Sequence, residues 1–599
     1  MLRNNFKTVL TFSLLCLVAL SNLGYMVQMA HAELNHTQIY PHTKVMMVDY
    51  MSGGWNSPAN DPEVKEFMAT RYDLIVGGGR DFSACTSNPP VQLSYINYYC
   101  MYVKESGNWE YQDAKRWAED HGVDFESFFI HYAEDTRACY GDVCYDLPAG
   151  SRVPSYDWYG SGGDLARDGA RVILNPGNPS YRAWRLDYLE RQFNSNSNWD
   201  GVFVDNTYLA SVGVKTPTIL SGGTYQEYQG ENAGIDYGND LLILFREFKE
   251  KFGKSKVQVP NVAQYDDSQS RIDRAYGGGD PNSPYIWGVV REFALQPHRA
   301  VWLPSMAENI QQSEAYGVEN LMGGFAIAPR YKVPYLCLYY LVKSDSTYFF
   351  PFLPYVADQF GIDPRENQWI EAVTYDIGQP VNDPPEAQKY RIYYTGIDPS
   401  SPSKDIMNVT EVTPVGSSYR LIDPDKNWAD EQWSGKTIVF PSGHVMSVYH
   451  SGPDWISLWA PSEVPTTGEY QVGDRAYSVL GREFEKALVL FKPLPSWNVT
   501  ETGDPSATIH NLPATTYNSS GQYYLLNDDG TLNTTPIREI SLRNTDGVIL
   551  VKASIIEDDE PPTRPTNLMA TPISSSQIDL SWDASADNIR VLGYKIYRD

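Results

Sequence analysis

The sequence is short of basic residues, and after its first residues it has no long hydrophobic run. Lysine and arginine number 47 against 74 aspartates and glutamates, which gives a formal net charge of −27. Such an acidic chain repels phosphates, so its charge argues against a nucleic-acid partner. Beyond the N-terminus no segment approaches the ~18 consecutive apolar residues of a membrane span.

Motifs for metal, nucleotide and serine chemistry are also lacking. None of the six cysteines has zinc-site spacing, and neither H-E-x-x-H nor G-x-S-x-G occurs. The turn Gly77-Gly78-Gly79 lacks the Lys and Ser/Thr of a phosphate loop. We therefore expect no metal and no cofactor, and a metal-dependent deacetylase or a serine esterase is disfavoured.

The N-terminus has the features of an export signal. Arg3 and Lys7 precede a mostly apolar run at 9–20, and Ala30-His31-Ala32 supplies a small-x-small cleavage pattern. We expect a signal peptide over 1–32, cleavage near Ala32, and a secreted mature protein without a membrane span. An uncleaved membrane anchor is the alternative.

An exported protein can keep disulfides. Once Cys16 is removed with the signal, Cys139 and Cys144 bracket a short loop and form the best candidate pair. Cys85 with Cys100 is a second possibility. Both arrangements leave Cys337, in an apolar run, free and buried.

The length of 599 residues predicts several domains. Between about residues 40 and 375, short apolar strands alternate with longer amphipathic stretches, which indicates repeated βα units. We predict a (β/α)8 TIM barrel over 33–377. Its eight strands are predicted at 44–50, 72–77, 128–132, 201–205, 257–261, 286–292, 321–327 and 347–352. The short apolar run at 171–175 is left outside the count.

After residue 378 the pattern becomes β-rich, with frequent Pro, Gly, Ser and Thr. We predict a β-sandwich region over 378–556, with a β insertion possible at 382–473, and then a linker over 557–564. From 565 to 599, with landmarks at Trp582 and Tyr594, the chain resembles the first half of a fibronectin type III module. The module stops partway through its sandwich, so we expect the chain to be a fragment.

Polar side chains at the C-terminal ends of barrel strands converge on one mouth of the barrel. Asp205 and Glu292 stand out there because each follows a run of apolar strand residues. Cleavage of a glycosidic bond needs two carboxyl groups, one protonated as an acid and one ionised as nucleophile or base. The structural alternative is that Asp205 caps the following turn and that Glu292 pairs with Arg291 or another base.

A family resemblance adds to this interpretation. Three segments resemble the broad α-glycosidase barrel group of glycoside hydrolases, which includes dextranase-like and α-galactosidase-like enzymes. They are Asn175-Pro176-Gly177-Asn178-Pro179, Trp184-Arg185 and Asp200-Gly201-Val202-Phe203-Val204-Asp205-Asn206. The resemblance implies that Asp205 is the nucleophile and that Glu292, on strand six as in α-galactosidase-like barrels, is the acid/base. It also implies a β-sandwich after the barrel, around 477–493.

Further residues are expected to bind substrate. They are Asp49, Trp55, His131, Asn206 and Asn261, all at predicted strand ends or in the loops that follow. Three of them have a structural alternative: a turn cap for Asn206, packing under its loop for Trp55, and a hydrogen-bonded barrel position for His131.

The sequence thus predicts a secreted glycoside hydrolase that acts on a polysaccharide or oligosaccharide with retention of configuration. An inverting mechanism and transglycosylation stay open, because the separation of the two carboxyl groups decides the first. The alternative from another class is a non-catalytic carbohydrate-binding or adhesion protein on the same scaffold.

Overall fold

The computed structural model describes residues 36–49, 61–103, 109–140, 143–154, 170–205, 207, 224–229, 233–253, 255–261, 284–291, 295, 303–325, 332–352, 365, 369–385, 388–399, 401–494, 508–513, 518, 520–556, 563–572 and 578–585. These residues fall into two compact units. The first lies within Met1–Gln296, Trp302–Pro329 and Val342–Trp369, and the second within Pro297–Val301, Arg330–Leu341 and Ile370–Asp599. The predicted signal peptide, Trp55, Asn206 and Glu292 lie outside the described residues.

The described part of the first unit contains an eight-stranded parallel sheet. Its strands are Lys44–Val48 (β1), Leu74–Val76 (β2), Val91–Asn97 (β3), Gly201–Asp205 (β4), Val257–Pro260 (β5), Gly288–Arg291 (β6), Glu319–Phe325 (β7) and Thr347–Phe352 (β8). Along the sheet they run β6-β7-β8-β1-β2-β3-β4-β5. A parallel bridge between Asn261 and Val290 joins the two outer strands. The sheet is therefore a nearly closed barrel, and the predicted TIM-barrel class is confirmed.

Alternation along the strands separates the inside of the barrel from the outside. One buried cluster takes side chains from all eight strands and fills the interior; it includes Met46, Leu74, Leu93, Phe203, Val259, Val290, Leu321 and Phe350. A second cluster joins the intervening residues, such as Val202 and Val204, to the helices through Trp184 and Phe245. Burial on both faces explains why most of these strands are continuous apolar runs.

The prediction of the third strand is wrong. Barrel strand β3 is Val91–Asn97, which pairs with β2 and β4. In place of the predicted strand at 128–132, the chain forms a 3-10 turn, Phe125–Phe128, followed by isolated bridges. Those residues are apolar because they pack in the core of the long excursion between β3 and β4. The count of eight is preserved, and Asp205 stays on the fourth strand.

Two of the described helices begin at the N-cap and proline signals that the sequence contains. Asp61 caps the first helix with Pro62 at its start, and Asn178 caps the third with Pro179 at its start. Apart from the four-residue helix Ala553–Ile556, the described α-helices are Pro62–Arg71, Trp109–Asp120, Pro179–Ser195, Ala233–Phe252, Leu303–Ala315 and Lys332–Val342. No described helix combines the length and hydropathy that crossing a bilayer requires.

The excursion between β3 and β4 contains two antiparallel hairpins. Cys100–Val103 pairs with Ala170–Ile173, so the run left out of the strand count lies outside the barrel. Thr136–Tyr140 pairs with Val143–Leu147 and sets Cys139 opposite Cys144. The side chains of that cysteine pair lie outside the described residues, so their disulfide stays a prediction.

The described cysteines outside that hairpin form no disulfide. The second predicted disulfide, between Cys85 and Cys100, is therefore wrong. Cys337 is free and fully buried, as expected from its apolar run, and burial raises the pKa of its thiol.

From residue 370 onward, the described regular structure is β-sheet apart from the 3-10 turn Glu371–Thr374 and the helix Ala553–Ile556, which confirms the predicted all-β region. The second unit also includes most of the helix Lys332–Val342. A five-stranded antiparallel sheet has the order Arg391–Ile397, Ala476–Glu483, Ala487–Phe491, Gly547–Lys552 and Tyr523–Leu525. Two four-stranded sheets lie within residues 401–474. Two-stranded sheets pair Thr508–Asn511 with Glu539–Leu542 and Thr566–Pro572 with Ile578–Asp583. The last pair falls in the segment predicted as a partial fibronectin type III module, which stays a prediction.

Candidate active site

Asp205 ends strand β4 at the mouth of the barrel. Phe203, two residues earlier, belongs to the interior cluster, whereas Val202 and Val204 face the helices. Because strand side chains alternate, Asp205 points to the interior side, where it is partly exposed. A partly exposed carboxyl group is therefore delivered to the end of the barrel at which enzymes of this fold have their active sites.

Both carboxylate oxygens of Asp205 accept hydrogen bonds from neighbouring strands. The Tyr95 hydroxyl, from β3, donates to Oδ2. The Asn261 amide, just after β5, donates to Oδ1 over 3.0 Å. Asn261 is 2% exposed, whereas Tyr95 is 47% exposed and stacks on Phe203 with ring centroids 5.6 Å apart. The two donors orient a carboxylate that is partly exposed to solvent.

The residues that lead up to Asp205 have architectural roles. The Asp200 carboxylate accepts a 2.9 Å hydrogen bond from the Gln92 backbone N–H and thereby ties β4 to β3. A Cβ added to Gly201 would lie 2.0 Å from the carbonyl oxygen of Val257, so only glycine fits between β4 and β5. In the D-G-x-x-x-D motif, the first two residues fix the strand and the last one reaches the mouth.

The end of β3 is held from outside by a buried arginine. Arg185 is fully buried, forms an ion pair with Glu110, and donates to the Asn97 carbonyl over 3.2 Å. Its guanidinium lies 4.4 Å from the ring centre of Trp184. Asn97 is the last residue of β3 and the register partner of Asp205. The Trp184-Arg185 pair therefore positions the strand that bears Tyr95.

The Asn-Pro-Gly-Asn-Pro segment is a helix start. The Asn178 side chain accepts from the Ser180 and Tyr181 backbone N–H groups and donates to Ser127. The Gly177 N–H donates to the Tyr228 hydroxyl over 3.0 Å. This part of the motif anchors the helix before β4 and has no direct contact with Asp205 among the hydrogen bonds of the described residues.

Asp49 is in a buried ion pair. Arg80 donates to Asp49 Oδ2 through Nε at 3.0 Å and Nη2 at 2.9 Å, and the Asp49 side chain is fully buried. Gly78 lies so close that a Cβ there would be 2.4 Å from the same oxygen. Interior positions of β1 are Met46 and Val48, so alternation turns Asp49 away from the interior. The contacts give Asp49 a structural role, and contact with substrate stays a prediction.

His131 lies in the excursion and not on a barrel strand, which corrects the expectation that it ends strand three. Its Nδ1 is 2.7 Å from Glu227 Oε1 and its Nε2 is 3.5 Å from Glu126 Oε2. Arg152 donates to both oxygens of Glu126. Hydrogen bonds that His131 donates to Glu126 and Glu227 raise the pKa of His131 to about 9, and the hydrogen bonds that Glu126 accepts from His131 and Arg152 lower the pKa of Glu126 to about 2. The group is an ion-pair network that contains a protonated imidazole.

The structure brings Asp205 and Asn261 together and adds Tyr95, which the sequence reasoning missed. A signal for Tyr95 exists, because Val91, Leu93 and Tyr95 alternate along one face of a strand. Trp55, Asn206 and Glu292 lie outside the described residues. Among the described residues, no group of three or more His, Cys, Asp or Glu is placed to hold a metal ion.

Comparison with known proteins gives short or distant similarities. No family model matches the chain. An α-amylase of Niallia circulans is 52% identical over 44 residues, which cover 7% of this chain and 3% of that protein. Chitinase A1 of Niallia circulans is 52% identical over 40 residues, 7% of this chain and 6% of that protein. The chain thus spans only a small part of the length of these curated relatives.

Three solved structures of other proteins are distantly similar to this chain. A Paenibacillus sp. cycloisomaltooligosaccharide glucanotransferase has 8% identity and a TM-score of 0.35, with 85% of each chain covered. An α-amylase from Malbranchea cinnamomea has 12% identity and a TM-score of 0.24, covering 72% of this chain and 96% of that one. An endo-β-1,4-mannanase from Thermotoga petrophila has 11% identity and a TM-score of 0.25, covering 76% and 97%.

Proposed function

We propose that the chain is a secreted glycoside hydrolase that cleaves O-glycosidic bonds of a polysaccharide or oligosaccharide with retention of configuration. The observation that carries the proposal is the Asp205 carboxylate at the barrel mouth, oriented through both oxygens by Tyr95 and Asn261. A carboxylate that only pairs with a cation or caps a turn does not need two neutral donors from neighbouring strands.

In this mechanism Asp205 is the nucleophile. Its ionised carboxylate attacks the anomeric carbon and forms a glycosyl ester as the bond to the leaving oxygen breaks. The donors Tyr95 and Asn261 hold the carboxylate in line for attack. Water then attacks the same carbon and returns the carboxylate.

Glu292 is the proposed acid/base. It protonates the leaving oxygen in the first step and takes a proton from water in the second. The proposal for Glu292 rests on the sequence, since the described part of β6 ends at Arg291. Val290 on that strand belongs to the interior cluster. Arg291 itself is buried and donates to Asn320 and Ser313.

The test is hydrolysis of a panel of neutral and acidic polysaccharides by the wild type, Asp205→Asn and a control. Reducing-end release should fall by about 10³-fold or more in a folded Asp205→Asn variant, because the covalent step is lost. Asp146→Asn is the matched control, since this carboxylate is 86% exposed in the excursion hairpin. Cleavage by Asp205→Asn at the wild-type rate would overturn the assignment.

Two further measurements separate the roles of the carboxyl groups. Azide should restore turnover to Asp205→Gly and give a glycosyl azide, because a small anion can replace a lost nucleophile. Glu292→Ala should lose more activity on substrates with poor leaving groups than on activated aryl glycosides. Polysaccharide binding without cleavage by the wild type would favour the adhesion alternative. N-terminal sequencing of exported protein tests cleavage after Ala32.

A further inference from the structure

Residues 401–474 form a small β-sandwich with its own core, here called the 401–474 module. One sheet has the order Lys404–Val409, Gly468–Gly473, Thr437–Val439 and Val445–Ser447; the other has the order Glu411–Val415, Ser418–Ile422, Trp455–Trp459 and His450–Ser451. Side chains from both sheets share one buried cluster, which includes Met407, Leu421, Ile456 and Val472. The outer face of the second sheet is not needed to complete this core.

That outer face presents two aromatic rings to solvent. Alternation along Trp455–Trp459 buries Ile456 and Leu458 and turns Trp459 outward. Trp459 is 57% exposed and Tyr449 is 50% exposed. Their ring centroids lie 5.5 Å apart with a 49° angle between the ring planes. We call this pair the aromatic platform. Two adjoining exposed aromatic side chains form an apolar patch that does not contribute to the core, and such patches are typical of binding surfaces.

Polar groups border the aromatic platform. The His450 ring lies 4.3 Å from the Tyr449 ring, and its Nδ1 is 3.1 Å from Glu431 Oε1. The Glu431 carboxylate also accepts a hydrogen bond from the Ser434 hydroxyl. Glu431 and His450 are both exposed. A carboxylate and an imidazole beside exposed rings offer an acceptor and a donor to hydroxyl groups lying on the rings.

The backbone at this border is strained. Glu431 has φ of 60° and Ala460, directly after Trp459, has φ of 41°. Residues with a Cβ rarely adopt this left-handed conformation, because the Cβ crowds the neighbouring backbone. Hydrogen bonds from Glu431 N–H to the Ser451 carbonyl and from Ala460 N–H to the Ser417 carbonyl hold the two positions. Strain at both edges of one exposed aromatic pair indicates a functional surface.

The charge of the 401–474 module selects among ligands. It contains four Lys and Arg against ten Asp and Glu. An anionic polysaccharide, a nucleic acid or an acidic membrane would be repelled. A neutral sugar chain fits, because the C–H faces of its rings can lie on Trp459 and Tyr449 while its hydroxyls reach Glu431 and His450.

We propose that the aromatic platform of the 401–474 module is a binding site for a neutral polysaccharide chain. The site consists of Trp459, Tyr449, His450 and Glu431 and uses no residue of the barrel. It therefore binds glycan whether or not the Asp205 mechanism operates.

The experiment is affinity electrophoresis of the full chain with Asp205→Asn as background, so that the polysaccharide is not consumed. The gels contain soluble starch, dextran, xylan or glucomannan, with polygalacturonate as the anionic comparison. Trp459→Ala and Tyr449→Ala should each weaken retardation by at least one neutral polysaccharide by about tenfold or more. Val464→Ala should not, although Val464 is 64% exposed in the same module.

Retardation that is equal in the platform variants and in their Asp205→Asn parent would overturn the proposal, and so would the absence of retardation by every neutral polysaccharide. Thermal unfolding shows whether each variant is folded. If Trp459→Ala is not folded, the double variant Trp459→Phe with Tyr449→Ala takes its place in the test. Phenylalanine retains part of the stacking surface. Hydrolysis of short oligosaccharides tests the proposed function separately and is measured in protein that retains Asp205. Its rate should be unchanged by Trp459→Ala and by Tyr449→Ala.

Discussion

Tyr95→Phe removes one hydroxyl group and tests how Asp205 is held. The hydroxyl donates to Asp205 Oδ2 and helps to hold the carboxylate in position, and misplacement of a reacting group costs about 10- to 100-fold in rate. Because Tyr95 is 47% exposed, water can replace part of that interaction, so the lower end of the range applies. We expect kcat/KM for hydrolysis of the substrate to fall by about tenfold.

Stability should hardly change in this variant. The phenylalanine ring keeps its stacking on Phe203, at a centroid distance of 5.6 Å, and no buried polar partner is left without solvent access. The free energy of unfolding should stay within about 0.5 kcal/mol of the wild type. Loss of activity at unchanged stability separates a positioning role of the Tyr95 hydroxyl from a general effect on folding.

The assay is steady-state hydrolysis beside urea unfolding, with Tyr102→Phe as the matched control. Tyr102 is 45% exposed, and its ring lies 4.3 Å under the Arg171 guanidinium, in the excursion hairpin. Asn261→Ala and the double variant with Tyr95→Phe complete a cycle that measures how the two donors cooperate. An unchanged kcat/KM in Tyr95→Phe would refute the reasoning that the two donors orient the nucleophile.

Two further predictions concern the framework. Gly201→Ala forces a Cβ to within 2.0 Å of the Val257 carbonyl oxygen and should lower the free energy of unfolding by about 3 kcal/mol or more, whereas Gly253→Ala, with open space but φ of 60°, should cost only about 1 kcal/mol. Equal urea midpoints for the two variants would contradict the steric account. Because the folded pKa of His131 is raised to about 9, its stabilising contribution is complete below about pH 6.5 and is lost as the pH rises through 9. The loss should amount to about 1–2 kcal/mol between about pH 6 and pH 10, since Glu126 is half exposed, and Glu126→Gln should reduce it.

The barrel could be predicted from the sequence because most of its strands are buried on both faces and appear as apolar runs. Strand β3 does not fit that rule. Gln92 is buried, but its side chain is hydrogen bonded to both the backbone N–H and the carbonyl of Arg80. Such a buried polar residue depends on a partner that only the fold supplies, so a search for apolar runs passes over the strand.

The candidate site was predictable in part for the same reason. Asp205 and Asn261 each end an apolar run and do meet, whereas Tyr95 was missed together with its strand. Asp49 ends an apolar run just as clearly, yet it faces the other side and pairs with Arg80. Asp205 and Asp49 differ by one position in the alternation of their strands, so one faces the barrel interior and the other faces away. Which of the two faces inward depends on the true strand boundaries.

The motif that suggested a glycosidase is mostly architectural. Asn178 caps a helix, Arg185 holds the end of β3, Asp200 ties two strands, and Gly201 permits their close approach. Among the motif residues that the structure describes, it is Asp205 that the strand alternation delivers to the barrel mouth. Such a motif fixes the position of a carboxylate and makes it rigid, and a nucleophile requires both. It contains nothing that distinguishes one sugar from another, so substrate choice has to come from the loops that follow the strands and from surfaces such as the aromatic platform.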